Sequence, residues 1–148
     1  MEDTGSTPGL GAQLRRNAVA LISLTVALCG LGYNTWRNET TESHRNIRQA
    51  AFMMLGGLGE LQQVVDLRFY GGHKDDANRI MGWGKVATLR DLGVLVSPGT
   101  GARAQMLFLT WENRLDALDG GDAAAEHEIS TAITATREQV MGDLRALQ

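Results

Sequence analysis

Residues 17–36 read NAVALISLTVALCGLGYNTW, an apolar run that determines where the rest of the chain folds. The run lies between Arg16 and Arg37 and contains no charged residue over its 20 positions. A helix of this length rises about 30 Å, which is roughly the hydrocarbon thickness of a bilayer. The run therefore predicts one transmembrane helix, which we place over residues 15–36.

Both ends of this run have the composition of a membrane interface. Arginines precede it, and aromatic residues, whose amphipathic rings prefer the headgroup level, end it. Within the run, the hydroxyls of Ser23 and Thr25 are tolerated because a helical hydroxyl can bond back to a carbonyl one turn earlier. The residues that we expect to form the membrane anchor are Arg15, Arg16, Leu21, Ile22, Leu24, Val26, Leu28, Tyr33 and Trp36.

Two other interpretations of the run are a buried helix of a soluble protein and a cleaved signal peptide. A core helix usually keeps a polar stripe, and this run has none over four turns. The small residues Gly30 and Gly32 leave cleavage open, but no Ala-x-Ala site ends the run. We therefore expect an uncleaved signal-anchor.

Arginines near the ends of the run indicate its orientation. Arg15 and Arg16 stand directly before it, whereas Arg37, Arg45 and Arg48 are spread over the residues that follow. Lysine and arginine next to a membrane helix favour the cytoplasmic side. The pattern predicts a protein of the bacterial inner membrane with a cytoplasmic N-terminus and a periplasmic C-terminal domain.

Composition excludes several classes of function. The chain has 148 residues and a net charge of −3, with no basic stripe, so we expect no nucleic-acid partner. Its one cysteine, Cys29, lies in the apolar run and rules out an internal disulfide or a cysteine-based metal site. Residues 1–14 are polar and glycine-rich, and we predict a disordered tail there.

After Trp36 the pattern becomes periodic, which predicts a membrane-tethered helical domain over residues 37–148. Gly56, Gly57 and Gly59 interrupt its first apolar stripe, so either two short helices or one continuous helix is compatible with the pattern. We favour the continuous helix because the stripe keeps its phase across the glycines. The stripe consists of Ile47, Ala51, Met54, Leu58, Leu61 and Val65.

Three further helices are predicted, over residues 77–96, 102–118 and 123–147. Asp75, Asp76, Asn78 and Asp122 are their candidate caps, and residues 97–101 form the clearest turn. The apolar positions are Ile80, Met81, Trp83, Val86, Leu89, Leu92 and Leu95; then Ala104, Leu107, Trp111, Leu115 and Leu118; then Ile129, Ile133, Thr136, Val140, Leu144 and Leu147. Short loops favour antiparallel neighbours, so we predict an all-α fold with an up-down bundle of about four helices.

Few residues in the sequence are arranged for chemistry. His44, His73 and His127 lack the spacing that places two metal ligands on one helical face, so we expect no metal, no cofactor and no enzymatic activity. Trp83 and Trp111 have two interpretations. Each is either a large core residue or part of a ligand pocket between helices, and the core interpretation is favoured.

The predicted arrangement, a membrane anchor followed by a helical bundle, resembles the extracytoplasmic helical bundles of bacterial sensor proteins in architecture only. We expect a non-catalytic scaffold or accessory interaction module at the bacterial cell envelope, with the lipid bilayer and another membrane or envelope protein as partners. The spacing of Ser23 and Ala27 also fits a homodimer. The alternatives are a small-ligand sensor subunit with a pocket between helices and a spanin-like lysis component, whose long rod the glycine-rich helices do not suit.

Overall fold

The structure is a computed structural model that describes the backbone of residues 10–147 and the side chains of residues 17–38 and 42–147. It contains four helices, α1 (Leu10–Phe69), α2 (Asp76–Val96), α3 (Pro98–Asp119) and α4 (Ala123–Ala146). Within the described residues there is no strand, which confirms the predicted all-α class. The chain divides into two compact units, Met1–Ser43 and His44–Gln148.

Helix α1 contributes to both units. It runs without interruption through Gly56, Gly57 and Gly59, so the prediction of one continuous helix is confirmed. It begins at Leu10, earlier than the predicted start at residue 15, and most of the predicted disordered tail, residues 1–9, lies outside the described residues. The contacts divide the chain after Ser43, and the predicted domain boundary at residue 37 stays a prediction.

The second unit is a four-helix bundle in which each helix contacts both of its neighbours in the ring. Polar and cation–π contacts join each helix to the next, and α4 closes the ring on α1. The contacts that make these four connections, in chain order, are Glu60 with Lys85, Arg90 with Phe108, Arg114 with Glu128, and Gln62 with Ser130.

Contacts at the two ends of the bundle give the helix directions. Arg68, in the last turn of α1, pairs with Asp119 at the end of α3 and donates to the carbonyl of Asp75 just before α2. At the opposite end, Asp143 near the end of α4 accepts a hydrogen bond from Ser97, which precedes α3. The end of one helix therefore meets the start of its neighbour, as the predicted antiparallel arrangement requires.

The core lies along the bundle axis and uses one face of each helix. The predicted stripes of α1, α3 and α4 are confirmed, apart from half-buried positions at the ends of the α1 and α4 stripes. The fully or almost fully buried apolar residues of these three helices include Ala51, Met54, Leu58, Leu61, Val65, Ala104, Leu107, Trp111, Leu115, Leu118, Ile129, Ile133 and Val140.

Helix α2 corrects the sequence prediction. The residues Ile80, Met81 and Leu95, predicted to be apolar packing positions, are exposed, so the predicted buried face of this helix is wrong there. Val86 and Leu89 are buried as predicted, and Gly82, Gly93 and Val96 complete the buried face. Glycine occupies two positions of this face because the Trp111 ring at Gly82, and Ala104 with nearby backbone of α3 at Gly93, leave no room for a side chain.

The close approach is tightest at Gly82. A Cβ atom built there would overlap the Trp111 ring at Cζ2 and would lie 2.6 Å from its Cη2 atom. At Gly93 an added Cβ would lie 2.9 Å from the Cβ atom of Ala104. Both distances are below ordinary van der Waals contact, so these two glycines set the spacing between α2 and α3.

The turn predicted over residues 97–101 is shorter than expected. Helix α3 begins at Pro98, whose missing N–H is no loss at the first helical position. Ser97 alone connects α2 to α3, and its extended backbone turns the chain. Its side-chain oxygen accepts a hydrogen bond from the N–H of Thr100 at 2.9 Å, which caps α3.

The other helix ends follow the sequence signals. Asp75 caps α2 and Asp122 caps α4, as predicted. The N–H of Asn78 donates to the Asp75 carboxylate and lowers the pKa of this group. Gly72 and Gly121 have positive φ angles of 67° and 85°, which explains why the two connecting turns contain glycine.

We expect Gly82→Ala to lower the melting temperature of the full chain in detergent micelles. The new methyl group overlaps the Trp111 ring in a packed core, and such overpacking typically costs about 1–3 kcal/mol. The matched control is Gly142→Ala in α4, where an added Cβ meets nothing within 4 Å. Because alanine is the better helix former, this control should melt at the same or a higher temperature. Equal melting curves for the two variants would contradict the close approach of α2 and α3.

Candidate functional site

The apolar run of α1 is the first candidate site. By length and composition, α1 is the one helix of the described residues that can cross a membrane. None of its apolar stretch is buried in the protein. The large exposed side chains of this stretch are Val19, Leu21, Ile22, Leu24, Val26, Leu28, Leu31, Tyr33 and Trp36.

Local contacts within this run agree with the sequence interpretation. The Thr25 hydroxyl donates to the carbonyl oxygen of Leu21 at 2.9 Å, so the predicted back-bond is confirmed. The rings of Tyr33 and Trp36 contact each other with their centroids 6.3 Å apart. The side chains of Arg15 and Arg16, which we predicted to flank the membrane, lie outside the described part of the chain.

A groove between α1 and α2 is the second candidate site. Its volume is about 500 Å³, within the range of small-molecule clefts. One ion pair crosses it, with Lys85 Nζ 2.6 Å from Glu60 Oε2. The residues that line the groove are Met53, Gly56, Gly57, Glu60, Met81, Gly84, Lys85, Thr88, Leu89 and Leu92. The site is therefore mostly apolar, and its one acidic and one basic side chain already neutralise each other.

The two tryptophans lie elsewhere. Trp111 is fully buried, as predicted for a core residue, and within the described residues its Nε1 atom has no hydrogen-bond partner. Trp83 is half-buried and packs edge-to-face on Phe108, with ring centroids 5.7 Å apart. Neither tryptophan lines the groove between α1 and α2. A ligand pocket formed by Trp83 and Trp111 stays a prediction.

A buried ion pair occupies the end of the bundle at which α1 and α3 terminate. The side chain of Arg68 is 1% exposed, and its Nε donates to Asp119 Oδ1 at 2.7 Å. The other carboxylate oxygen of Asp119 accepts from Arg79, 2.9 Å away. Arg79 also pairs with the exposed Asp116. The guanidinium groups of Arg68 and Arg79 both bind the Asp119 carboxylate, so this cluster joins the ends of α1 and α3 to the start of α2.

A polar cluster around Asp143 occupies the opposite end. Its carboxylate accepts hydrogen bonds from Ser97 Oγ at 2.5 Å, Thr100 Oγ1 at 2.6 Å and Gln139 Nε2 at 3.0 Å. Burial raises the pKa of Asp143, but the three hydrogen bonds outweigh it and lower the pKa overall. Both hydroxyl groups donate directly to the Asp143 carboxylate, without the histidine that lies between serine and aspartate in a catalytic triad. The cluster therefore joins the end of α4 to the start of α3.

Within the described residues, no three His, Cys, Asp or Glu side chains are grouped as ligands of a metal ion. His44, His73 and His127 are all exposed. The expectation that the chain uses no metal or cofactor stays a prediction.

Sequence reasoning missed the groove between α1 and α2, although one signal pointed to it. Residues 49–65 contain a single charged residue, Glu60, in almost five turns of helix. A helix with one exposed face normally carries several charges over that length. The low charge density of this segment was therefore a sign that its outer face differs from an ordinary solvated surface.

No protein-family model, no curated protein and no solved structure matches the chain.

Proposed function

We propose that this is a single-pass membrane protein whose helical domain is a non-catalytic scaffold or accessory interaction module at the bacterial cell envelope. The observation that carries the proposal is the uncharged run of residues 17–36, whose large apolar side chains are all exposed on α1. Leaving such side chains in water is unfavourable by about 25 cal/mol for each Å² of apolar surface. A lipid bilayer removes that cost.

The exposure of this run supports a membrane anchor over a core helix. A core helix of a soluble protein would pack its apolar side chains against other elements, whereas none of this stretch is buried. Tyr33 and Trp36 at one end of the run fit the headgroup level of a bilayer. Arg15 and Arg16 at the other end favour a cytoplasmic N-terminus, which puts the bundle in the periplasm.

The bundle supports an interaction role through its exposed apolar side chains. Phe52, Met53, Ile80, Met81 and Leu95 are between 49% and 71% exposed and all belong to α1 or α2. Met53 and Met81 of this set border the same groove, and exposed apolar residues that lie next to one another are typical of protein interfaces. A domain held at the membrane by one helix and carrying such a surface is suited to binding another protein of the envelope.

The groove between α1 and α2 favours a second candidate function, a small-ligand sensor subunit. A cavity of about 500 Å³ with an apolar lining and one ion pair has the size and chemistry of a ligand site. The two functions differ in their response to small molecules. A ligand at a hundred times its dissociation constant should stabilise a sensor by about 2.7 kcal/mol, whereas a scaffold gives no such shift.

The anchor and its orientation are tested by fusing alkaline phosphatase after Gln148 in a Gram-negative host. We expect an active phosphatase that stays with the membrane after a carbonate wash, because the enzyme folds only after export. The same fusion with Leu24→Arg and Val26→Arg should lose membrane association, since each charge at the bilayer centre costs about 2.5–3.5 kcal/mol. An inactive phosphatase beside a fluorescent cytoplasmic fusion at the same position would reverse the proposed topology.

The interaction role is tested in the same membranes with a photo-crosslinking residue at position 53, on the exposed side of α1. We expect an adduct with a distinct membrane protein. The control position is 134 in α4, which is exposed on the other side of the bundle. Equal adducts from both positions would contradict a specific surface on α1 and α2.

A further inference from the structure

The lining of the groove between α1 and α2 consists mostly of aliphatic and thioether side chains and glycine. Leu89 is 1% exposed, and Leu92 is half-buried. Met53 and Met81, one from each helix, are exposed. A Cβ atom built at Gly57 would lie 3.2 Å from Leu89 Cδ2, so the two helices touch along the groove. A molecule held there would therefore contact apolar groups over most of its surface.

The size of the groove suits a small molecule. Its volume of about 500 Å³ lies within the range of small-molecule clefts, roughly 300–1,000 Å³. Ten of the described residues line it, whereas a stable protein interface takes about 20–30 residues from each partner. The groove alone is therefore too small to be a protein interface, but it can hold one small ligand.

The charges of the groove favour an uncharged ligand. Among the described residues that line it, Glu60 and Lys85 carry the only charges, and Lys85 Nζ lies 2.6 Å from Glu60 Oε2. A negatively charged ligand would have to displace Glu60 from Lys85, and a positively charged one would have to displace Lys85 from Glu60. An uncharged ligand leaves this pair in place. The carboxylate also keeps its contact with water, since the Glu60 side chain is 62% exposed.

Two polar side chains of the groove are complementary to a hydroxyl group. Lys85 and Thr88 are three residues apart in α2, so they are neighbours on one face of the helix. An ammonium group has three N–H donors, and one of them binds Glu60, which leaves donors for an uncharged acceptor. The Thr88 hydroxyl donates to the carbonyl oxygen of Gly84 at 2.9 Å, and its oxygen can still accept a hydrogen bond. A hydroxyl group both accepts and donates, so one such group can bind Lys85 and Thr88 together.

We propose that the groove between α1 and α2 binds an uncharged alcohol, a small molecule with an apolar body and a hydroxyl group. The apolar body lies against Leu89, Leu92 and the methionines, whose flexible side chains adapt to its shape. The hydroxyl group accepts a hydrogen bond from Lys85 and donates one to Thr88. The proposal deepens the second candidate function, the small-ligand sensor subunit, and rests on it.

The ligand class is tested by NMR of the full chain in lipid nanodiscs, with ¹³C-labelled methionine methyl groups and benzyl alcohol as the probe. The signals of Met53 and Met81 should shift and saturate. Those of Met106 and Met141, exposed on α3 and α4 outside the groove, should not, which separates binding from partition into the bilayer. Benzyl methyl ether lacks the donor and should bind about two- to tenfold more weakly, the effect of one hydrogen bond. Benzoate and benzylammonium, which carry charges, should also bind more weakly than benzyl alcohol.

Two pairs of variants locate the ligand. Gly84→Leu should abolish the saturable shift of Met53, because an added Cβ at Gly84 meets nothing within 4 Å and the new side chain can fill the groove. Gly142→Leu, at an equally open glycine of α4, is its control and should bind as the wild type does. Thr88→Val should weaken binding of benzyl alcohol about two- to tenfold. Its control is Thr134→Val, which removes an exposed hydroxyl with the same bond to a carbonyl one turn earlier, but in α4. Thermal melts should show all four variants folded.

Several results would overturn the proposal. Equal shifts of all exposed methionines, unchanged binding in Gly84→Leu, or equal binding by Thr88→Val and Thr134→Val would each show that the groove does not bind the hydroxyl group as described. Tighter binding of benzoate or benzylammonium would overturn the uncharged ligand class and leave the sensor function intact. If none of the four probes gave a saturable shift while position 53 still yielded a photo-adduct, the alcohol site would be overturned and the interaction role would remain.

Discussion

Trp111→Ala should destabilise the bundle more than any other single truncation of an apolar side chain. Trp111 is the largest fully buried residue, and it fills the space between α3 and the backbone of α2 at Gly82. Truncating a buried tryptophan typically costs about 3–5 kcal/mol through lost transfer energy and the cavity that remains. A domain is usually stable by only about 5–15 kcal/mol, so the variant should melt far below the wild type or fail to fold.

Glu138→Ala is the control for this experiment. Glu138 is exposed on α4, as the sequence predicted, and its truncation removes no core contact. Circular dichroism of the full chain in detergent should show similar melting curves for this variant and the wild type. If Trp111→Ala melted like Glu138→Ala, the indole would not be the centre of the core.

The second large effect is expected for Asp119→Ala, which leaves a buried charge without its partner. Arg68 is 1% exposed and would keep only the carbonyl oxygen of Asp75, 3.2 Å from its guanidinium. Removing one member of a buried ion pair typically costs about 3–5 kcal/mol, because the remaining charge stays out of water. Urea unfolding of the full chain in detergent measures this loss.

Asp116→Ala is the matched control, since it removes a carboxylate from the same cluster at the surface. The Asp116 side chain is 87% exposed, against 19% for Asp119, and Arg79 keeps its contact with Asp119 when Asp116 is truncated. We expect little change for this variant. The double variant Arg68→Met with Asp119→Leu should regain most of the stability lost in Asp119→Ala, because apolar residues can replace a buried pair. Failure of that rescue would show that packing, rather than the unpaired charge, causes the loss.

Most of the fold was predictable because helical periodicity depends on local sequence. In α1, α3 and α4 the stripe read from the sequence is, except at its ends, the stripe that packs, although some large apolar residues outside it, such as Phe52 and Met106, are exposed. The caps at Asp75 and Asp122 were likewise predictable, since a capping side chain binds the backbone only a few residues away.

The buried face of α2 was not predictable by the same rule. Hydrophobic periodicity assigns Ile80 and Met81 to the core and treats Gly82 as a weak position. The structure buries Gly82 because the indole of Trp111, 29 residues later in the chain, occupies the space that a side chain would need. A glycine that is buried because it has no side chain adds nothing to the hydrophobic pattern from which a buried face is predicted.

The groove was missed for a related reason. Its walls come from α1 and α2, and its shape depends on Gly56 and Gly84, which lack the atoms that would fill it. The periodicity of α2 assigned Met81 to the core, whereas Met81 is exposed and lines the groove together with Met53. The low charge of residues 49–65 was visible in the sequence, but only the packing shows that Lys85 neutralises the one acid there.

The connection at Ser97 also affects the order in which the bundle can assemble. Because a single residue joins α2 to α3, these helices are neighbours along the chain as well as in space, and little loop entropy is lost when they meet. The turns after α1 and α3 are short as well, and α3 packs against both α2 and α4, its neighbours along the chain. Such low contact order is typical of helical bundles that fold in microseconds to milliseconds. During synthesis, the α2–α3 hairpin can therefore form before α4 has appeared.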